Sequence, residues 1–543
     1  MDIEDIYDLV GNMGLYQWCA FFVIGCFAVF AVDSIAMNFV GAEPDHWCHV
    51  EELSNLSYDQ QKYIAIPFTD DSDDEFQRCK MFNLDYHKYD PEDFVNWNRT
   101  DMVNENTPLT DCGRGWVYDQ SEFISTITGK LDLVCDDQWM VSMISTCYMA
   151  GILVGAVGSG YLSDKFGRKK TIYVSILLKV ATTLMTTFPI NYPWVAVTRF
   201  LLGVGSTGAY LTGFILIMEL IGNKWRGALG VSYQQQFAIG FMLWPAVAYF
   251  IRDDIKVQLA MSGPVIILLV FWWLIDESPR WLLVKERYED AEVVLRKIAA
   301  INGRELPDDF DIGMIRKVTP RLRLRTLIVD FHWFVLPYNF HFDMFQTFQL
   351  HRFTDSLMYY ALSLNTGSLP GGVFFTTFLA GAVEVPANLI AVFFMGWRFT
   401  GRRLTCSLSM LIAGGASLIQ IYTILENVET AQTVLAMVSK GFVTVGFSGI
   451  YVFTSELFPT EVRNVGVGSA SMCARVGGMI APYMGPSLEG VWKPLPSVLT
   501  GGLAILAGLL TLLLPETLDQ PLFSTVEEAE AFGRYKSSTF FLP

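Results

Sequence analysis

Apolar residues run through this 543-residue chain in blocks long enough to cross a bilayer, separated by short polar segments. A spanning helix needs about 20 mostly apolar residues. The pattern places such blocks at twelve positions: 15–40, 139–163, 171–190, 192–221, 228–251, 257–276, 326–366, 372–396, 404–425, 431–455, 464–486 and 494–514. It predicts an all-α integral membrane protein with twelve transmembrane helices in the lipid bilayer. An even number of spans puts both termini on one side. "DKFGRKK" (164–170) and "GNKWRG" (222–227) are rich in Lys and Arg, and the positive-inside rule makes their side cytoplasmic. The start, "MDIEDIYDLVGNMG", is acidic where a signal peptide is basic, so residues 1–14 read as a cytoplasmic N-terminus.

Charge sharpens this topology. The formal net charge is −17, and residues 41–138 alone hold 22 Asp or Glu against 7 Lys or Arg, a balance of −15. The acidity therefore belongs to one long loop after the first span, either as a solvated surface or as an attractor of cationic solutes. No basic patch points to nucleic acid. Four of the nine cysteines, Cys48, Cys79, Cys112 and Cys135, fall in this loop. An even number facing an oxidising space predicts two disulfides, with three pairings open. The sequons at Asn55 and Asn98 predict glycosylation on the same outer side. No metal-ligand spacing or cofactor motif occurs, and no nucleophile–base set suggests an enzyme.

The two halves of the chain echo each other. Glu219 precedes Arg226 by seven residues in "MELIGNKWRGALG", and Glu456 precedes Arg463 by seven in "SELFPTEVRNVGVG". "IDESPRWLL" follows the sixth span and "LLPETLDQPL" the twelfth. "YLSDKFGRKK" is answered more loosely by "GWRFTGRRL" (396–404). An internal repeat of six spans marks a secondary transporter built from two bundles. The bundles would cover 15–276 and 326–515, joined by a central cytoplasmic loop at 277–325 and followed by a tail at 516–543. Gly160 would let two helices approach closely, and Gly167 would permit a tight turn. Asp164, Arg168, Glu219, Arg226, Glu456 and Arg463 would form salt bridges that hold the cytoplasmic side shut and release during alternating access; helix capping and topology signals are the plainer alternative.

"GYLSDKFGRKK" resembles the loop motif of the major facilitator superfamily. "ESPRWLL", "ELFPTEVRNVGVG", "LLPETL" and the cysteine-bearing loop are similar to its organic cation, anion and zwitterion transporter family (solute carrier family 22), closest to the insect-type members. The resemblance runs over nearly the whole chain. It implies the major facilitator fold, a plasma-membrane location and a central polyspecific cavity for small organic ions; the carrier would work as a monomer, with an oligomer left open.

Ionisable residues inside spans are candidate functional groups, because a cation at the bilayer centre costs roughly 2.5–3.5 kcal/mol. Arg475, in "SASMCARVGGMIAP", is the foremost. By the resemblance, Arg at this position goes with anion or carnitine carriers and Asp with cation carriers. Water, Glu384 or a substrate carboxylate could offset its burial. Glu384, in "GAVEVPAN", could instead meet a substrate cation. Lys179 reads as a snorkelling residue, and Arg199 as a structural residue near a cytoplasmic helix end. Tyr359, Tyr360, Phe237, Phe241 and Phe447 would supply aromatic walls, with Gln234 and Gln235 adding hydrogen bonds.

Energy coupling is thinly encoded. No phosphate-binding GxxxxGK[ST] loop is present, and only His332 falls in a regular span as a relay candidate, so facilitated diffusion, exchange and ion coupling stay open. The seventh span departs from the family pattern. "TLIVDFHWF" and "TDSLMYYALSLNTG" would make one helix, but residues 335–353 intervene with a proline, two histidines, Asp343 and Arg352. They read as a retained gene segment or as a looped-out element. A broken span would also suit a second reading, a non-transporting receptor or scaffold on a disabled carrier fold.

Overall fold

The computed structural model describes residues 3–30, 32–69, 72–88, 103, 107–304, 340–458 and 463–518. Among them a helix stands at each of the twelve expected places. These are α1 (Leu15–Phe30), α2 (Trp139–Phe166), α3 (Arg168–Thr186), α4 (Tyr192–Leu220), α5 (Asn223–Ile251), α6 (Asp254–Leu268), α7 (Phe340–Leu364), α8 (Val373–Gly396), α9 (Gly401–Leu425), α10 (Glu429–Leu457), α11 (Arg463–Ile480) and α12 (Leu495–Thr511). Seven described segments are by themselves long and apolar enough to cross a membrane.

Lipid supplies no hydrophobic drive between helices, so small residues set the packing. Gly151 and Gly203 bring α2 against α4: a Cβ at Gly151 would lie 2.0 Å from the Phe200 carbonyl oxygen, and one at Gly203 2.3 Å from that of Tyr148. Gly414 and Gly501 do the same for α9 and α12, where a Cβ at Gly414 would lie 2.8 Å from the Gly501 carbonyl oxygen. Gly160 does not serve this purpose. A Cβ there would meet nothing within 4 Å, because the close crossing of α2 lies more than a turn nearer its start.

The halves meet on the side of the 41–138 loop, here called the loop face. Asn38, just past α1, donates to the Ser363 carbonyl oxygen (2.8 Å) and to Thr366 Oγ1 (2.9 Å) near the end of α7. Ser142 and Thr146 of α2 donate to the carbonyl oxygens of Pro482 (3.1 Å) and Met479 (2.9 Å). Phe374 at the start of α8 stacks on Phe39 and packs against Phe123.

The loop itself folds around Trp47, Leu53, Ile64 and Ile66, with three two-stranded antiparallel sheets. Its cysteines pair as Cys48–Cys112 and Cys79–Cys135, which selects one of the three possible pairings. Asn55 is exposed, and Asn98 lies outside the described residues. On the opposite, motif-bearing face, helices Pro279–Val284 and Tyr288–Ile301 and an N-terminal helix, Ile3–Val10, pack under the first half.

The seventh span corrects the sequence reading. Residues 340–353 are neither looped out nor a break: they form the first fourteen residues of α7 and run without interruption into 354–364. Polar side chains are accommodated because they face protein rather than lipid; His351 and Arg352 are buried. Residues 335–339 lie outside the described residues.

Mass mapping of non-reduced peptides is expected to recover Cys48 joined to Cys112 and Cys79 to Cys135. Replacing either pair by serine should destabilise the loop by about 2–4 kcal/mol, read as faster limited proteolysis within residues 41–138.

Candidate functional site: a central cleft between two charge-stapled bundles

Each half carries the same charged staple on the motif-bearing face. Gly167, between α2 and α3, has φ +106°, a conformation that favours glycine. The turn points the Arg168 and Lys169 amides at the Glu277 carboxylate, with N···O distances of 2.8 and 3.2 Å. A Cβ at Gly167 would lie 2.2 Å from Glu277 Oε2, so a larger residue would also push the carboxylate off the amides. The Arg168 guanidinium forks onto Glu219 of α4 (3.1 and 3.0 Å) and reaches Asp164 (2.9 Å).

In the second half Gly401 has φ +61°, and the Arg402 and Arg403 amides donate to Glu516 at 2.9 and 3.0 Å. Arg402 forks onto Glu456 of α10, with its closest contact at 3.0 Å. The partners of Glu277 and Glu516 are backbone amides at the starts of α3 and α9, where helix dipoles favour negative charge.

Two expectations change. Both staples tie helices within one half and neither bridges the halves. Arg402 takes the place that symmetry assigns opposite Arg168, and the sequence reading had matched only the surrounding "GWRFTGRRL". Its signal was an arginine directly after a turn glycine, as in "FGRKK". Arg226 donates its Nε to the Met218 carbonyl oxygen at 3.1 Å, and the side chain of Arg463 lies outside the described residues.

Between the bundles, α7, α8, α10 and α11 of the second half face α4 and α5 of the first. Glu384 of α8 is 3% exposed and Lys440 of α10 is 1% exposed, and they pair at 3.0 Å. Tyr359 donates its hydroxyl to Glu384 (2.6 Å), the Lys440 ammonium lies 3.2 Å from the Tyr359 ring centroid, and its Nζ donates to Ser363 Oγ. Glu384 is therefore committed to Lys440, a cation the sequence reading passed over. Lys440 sits mid-span in "AMVSKGFVTVG", and that position alone marks it. Phe241 closes over the pair from α5, 5.2 Å from the ammonium, so it backs the site instead of lining it.

Arg475 is half-buried on α11. Its guanidinium interacts with the Tyr360 hydroxyl and stands beside Tyr451 of α10 and Tyr210 of α4. Among the described residues it makes no ion pair with a carboxylate. Tyr359 packs on Tyr360 (5.2 Å) and Phe447 (5.5 Å), and Phe447 on Tyr451 (5.8 Å). Across the cleft Phe237 packs on Tyr210 (6.0 Å). Ser448 donates to Gln234 at 3.4 Å, and Gln235 donates to the Val385 carbonyl oxygen at 3.1 Å, tying α5 to α8. Tyr210 and Tyr451 belong to this wall, although the sequence reading named neither.

Two further intramembrane cations lie outside this site, and among the described residues only one of them forms an ion pair. Lys179 does not snorkel: it is buried and bridges Asp33 at 2.8 Å. Arg199 is buried seven residues into α4 from the loop face, not near the motif face, and Asp33 and Asp254 are its closest negative charges.

The family described as "Sugar (and other) transporter" matches residues 81–528. The "Organic cation transporter protein" of Drosophila melanogaster is 31% identical over 98% of this chain and 95% of its own. The human "Organic cation/carnitine transporter 2" is 31% identical over 97% of this chain and 94% of its own. The chain belongs to the organic cation, anion and zwitterion transporter family (solute carrier family 22) of the major facilitator superfamily. The fold agrees: the inward-open xylose transporter XylE from E. coli superposes with a TM-score of 0.61 at 17% identity, covering 95% of this chain and 99% of that one. Members of solute carrier family 22 are secondary transporters, and this protein is one of them, a multi-pass membrane carrier of small organic solutes. The helix through residues 340–364 also weakens the support for a disabled carrier.

Lys440→Met strands Glu384 as an unpaired buried carboxylate and is expected to cost about 3–5 kcal/mol. Adding Glu384→Gln to it should restore most of that loss. Thermal melts of the purified single and double variants check the coupling, and equal additive losses would contradict the pair.

Proposed function

We propose that this carrier moves small organic anions and zwitterions, carnitine-like solutes among them, and that Arg475 selects their carboxylate. One observation carries the reading: of the two charged groups expected to face the cleft, Glu384 is neutralised by Lys440 whereas Arg475 has no carboxylate partner among the described residues. The cleft therefore presents net positive charge. A guanidinium offers a planar fork of donors that suits a carboxylate. The hydroxyls of Tyr360, Tyr451 and Tyr210 add polar contacts, and the faces of Phe447, Phe237 and the tyrosines suit a quaternary ammonium at the other end of a zwitterion. The human relative's printed name, an organic cation/carnitine transporter, includes such a zwitterion.

The conformation supports alternating access. Contacts between the halves at the loop face leave the cleft to open toward the motif-bearing face. With the disulfide-bonded loop outside, that face is cytoplasmic, the termini lie inside, and this is the inward-facing state of a plasma-membrane protein acting as a monomer. The Arg168–Glu219 and Arg402–Glu456 staples keep each bundle rigid, so that rocking rather than melting exchanges the two openings.

In cells expressing the full chain, Arg475→Asp should weaken uptake of labelled carnitine and glutarate far more than that of tetraethylammonium, with surface expression unchanged. Equal loss for all three solutes, with less protein at the surface, would make Arg475 structural.

A further inference from the structure

One ionisable cluster in the membrane core takes no part in the site above. Asp355 of α7 is 0% exposed, and among the described residues neither of its carboxylate oxygens has a hydrogen-bond partner. The closest cation, Arg352 Nη1, stands 4.0 Å away. Arg352 is itself committed elsewhere. Its guanidinium lies 3.6 Å from the Tyr451 ring centroid and 4.8 Å from that of Phe447, and Nη2 has no hydrogen-bond partner.

The other groups around Asp355 do not answer its charge. Lys440 on α10 is held by Glu384. On α9, Ser409 donates its hydroxyl to the Cys406 carbonyl oxygen at 2.8 Å, and Cys406 is a buried thiol. His351, earlier on α7, is turned to Thr511 of α12 at 2.8 Å. Arg475 on α11 is engaged with Tyr360 and lies near Tyr451.

An ionised carboxylate without donors or water is costly, by several kcal/mol even after relaxation. The neutral acid is the form this geometry accommodates. We propose that Asp355 is a proton-binding site that couples transport to protons, with Arg352 and Tyr451 linking it to the Arg475 cleft; the coupling rests on the anion reading above.

With the proton on Asp355, the charge of Arg352 is uncompensated behind Tyr451, and its field adds to that of Arg475 in favouring an anion. When the acid releases its proton, the carboxylate draws Arg352 from the Tyr451 face. The pair then carries no net charge, and the anion is held less tightly. Proton and anion therefore bind together and leave together, which makes the protein a proton–anion symporter.

Two measurements on the full chain in proteoliposomes test this. Infrared difference spectra at neutral pH, without any solute, should show the carbonyl stretch of a protonated carboxylic acid, and Asp355→Asn should remove it. With the membrane potential clamped at zero, a pH gradient, acid on the loop side, should accumulate labelled carnitine or glutarate, up to about tenfold per pH unit for one proton per solute. Asp355→Asn and Arg352→Gln should both abolish that accumulation. A missing acid band in the wild type, or gradient-driven accumulation that survives Asp355→Asn, would overturn the proposal. Arg475→Gln separates the two readings: it should keep the acid band while losing carnitine and glutarate uptake.

Discussion

A charge carried into hydrocarbon must be answered inside the protein, and this constraint orders the membrane core. Lys440 answers Glu384 at 3.0 Å, and Lys179 answers Asp33 at 2.8 Å. At the motif-bearing face, Arg168 and Arg402 each fork onto one carboxylate, while a second carboxylate caps the amides that follow a left-handed glycine. Each pairing lies within one half. The bundles are therefore internally stapled bodies, and the contacts that can exchange during transport are the sparser ones between them.

Against that background an unanswered charge is informative. Among the described residues, Arg475 and the Arg352–Asp355 cluster are places that a solute or a proton would complete, while Arg199 is a third buried cation without an ion pair. Incomplete polar sites are expensive to keep in a stable membrane fold, and a carrier has a use for them. Binding that is completed only by cargo is what lets cargo shift the balance between two openings.

Much of this was legible in the sequence. Apolar length pointed to the helices, and the repeat of Glu219–Arg226 in Glu456–Arg463 marked the glutamate of each staple but not the arginines that meet them, Arg168 and Arg402. What was missed has physical causes. The partner of Glu384 was invisible because Lys440 lies 56 residues away, and pairing across helices leaves no local spacing. Gly160 looked like a packing glycine because motif and contact share one helix, yet the contact falls at Gly151 and Gly155. Residues 340–353 looked unfit for a span because polarity was counted without knowing which face they took; helical packing buries His351 and Arg352 against α10 and α12. Disulfide pairing depended on the loop's tertiary fold and could not be chosen from order along the chain.

The central claim is that Arg475 is the group that receives a substrate's carboxylate. The most direct measurement is an experimental structure of the full chain with carnitine bound in lipid nanodiscs. The carboxylate is expected within hydrogen-bond distance of the Arg475 guanidinium and the Tyr360 hydroxyl, with Lys440 still paired to Glu384. Carnitine bound with its carboxylate away from Arg475, or Arg475 paired to Glu384 in place of Lys440, would contradict it.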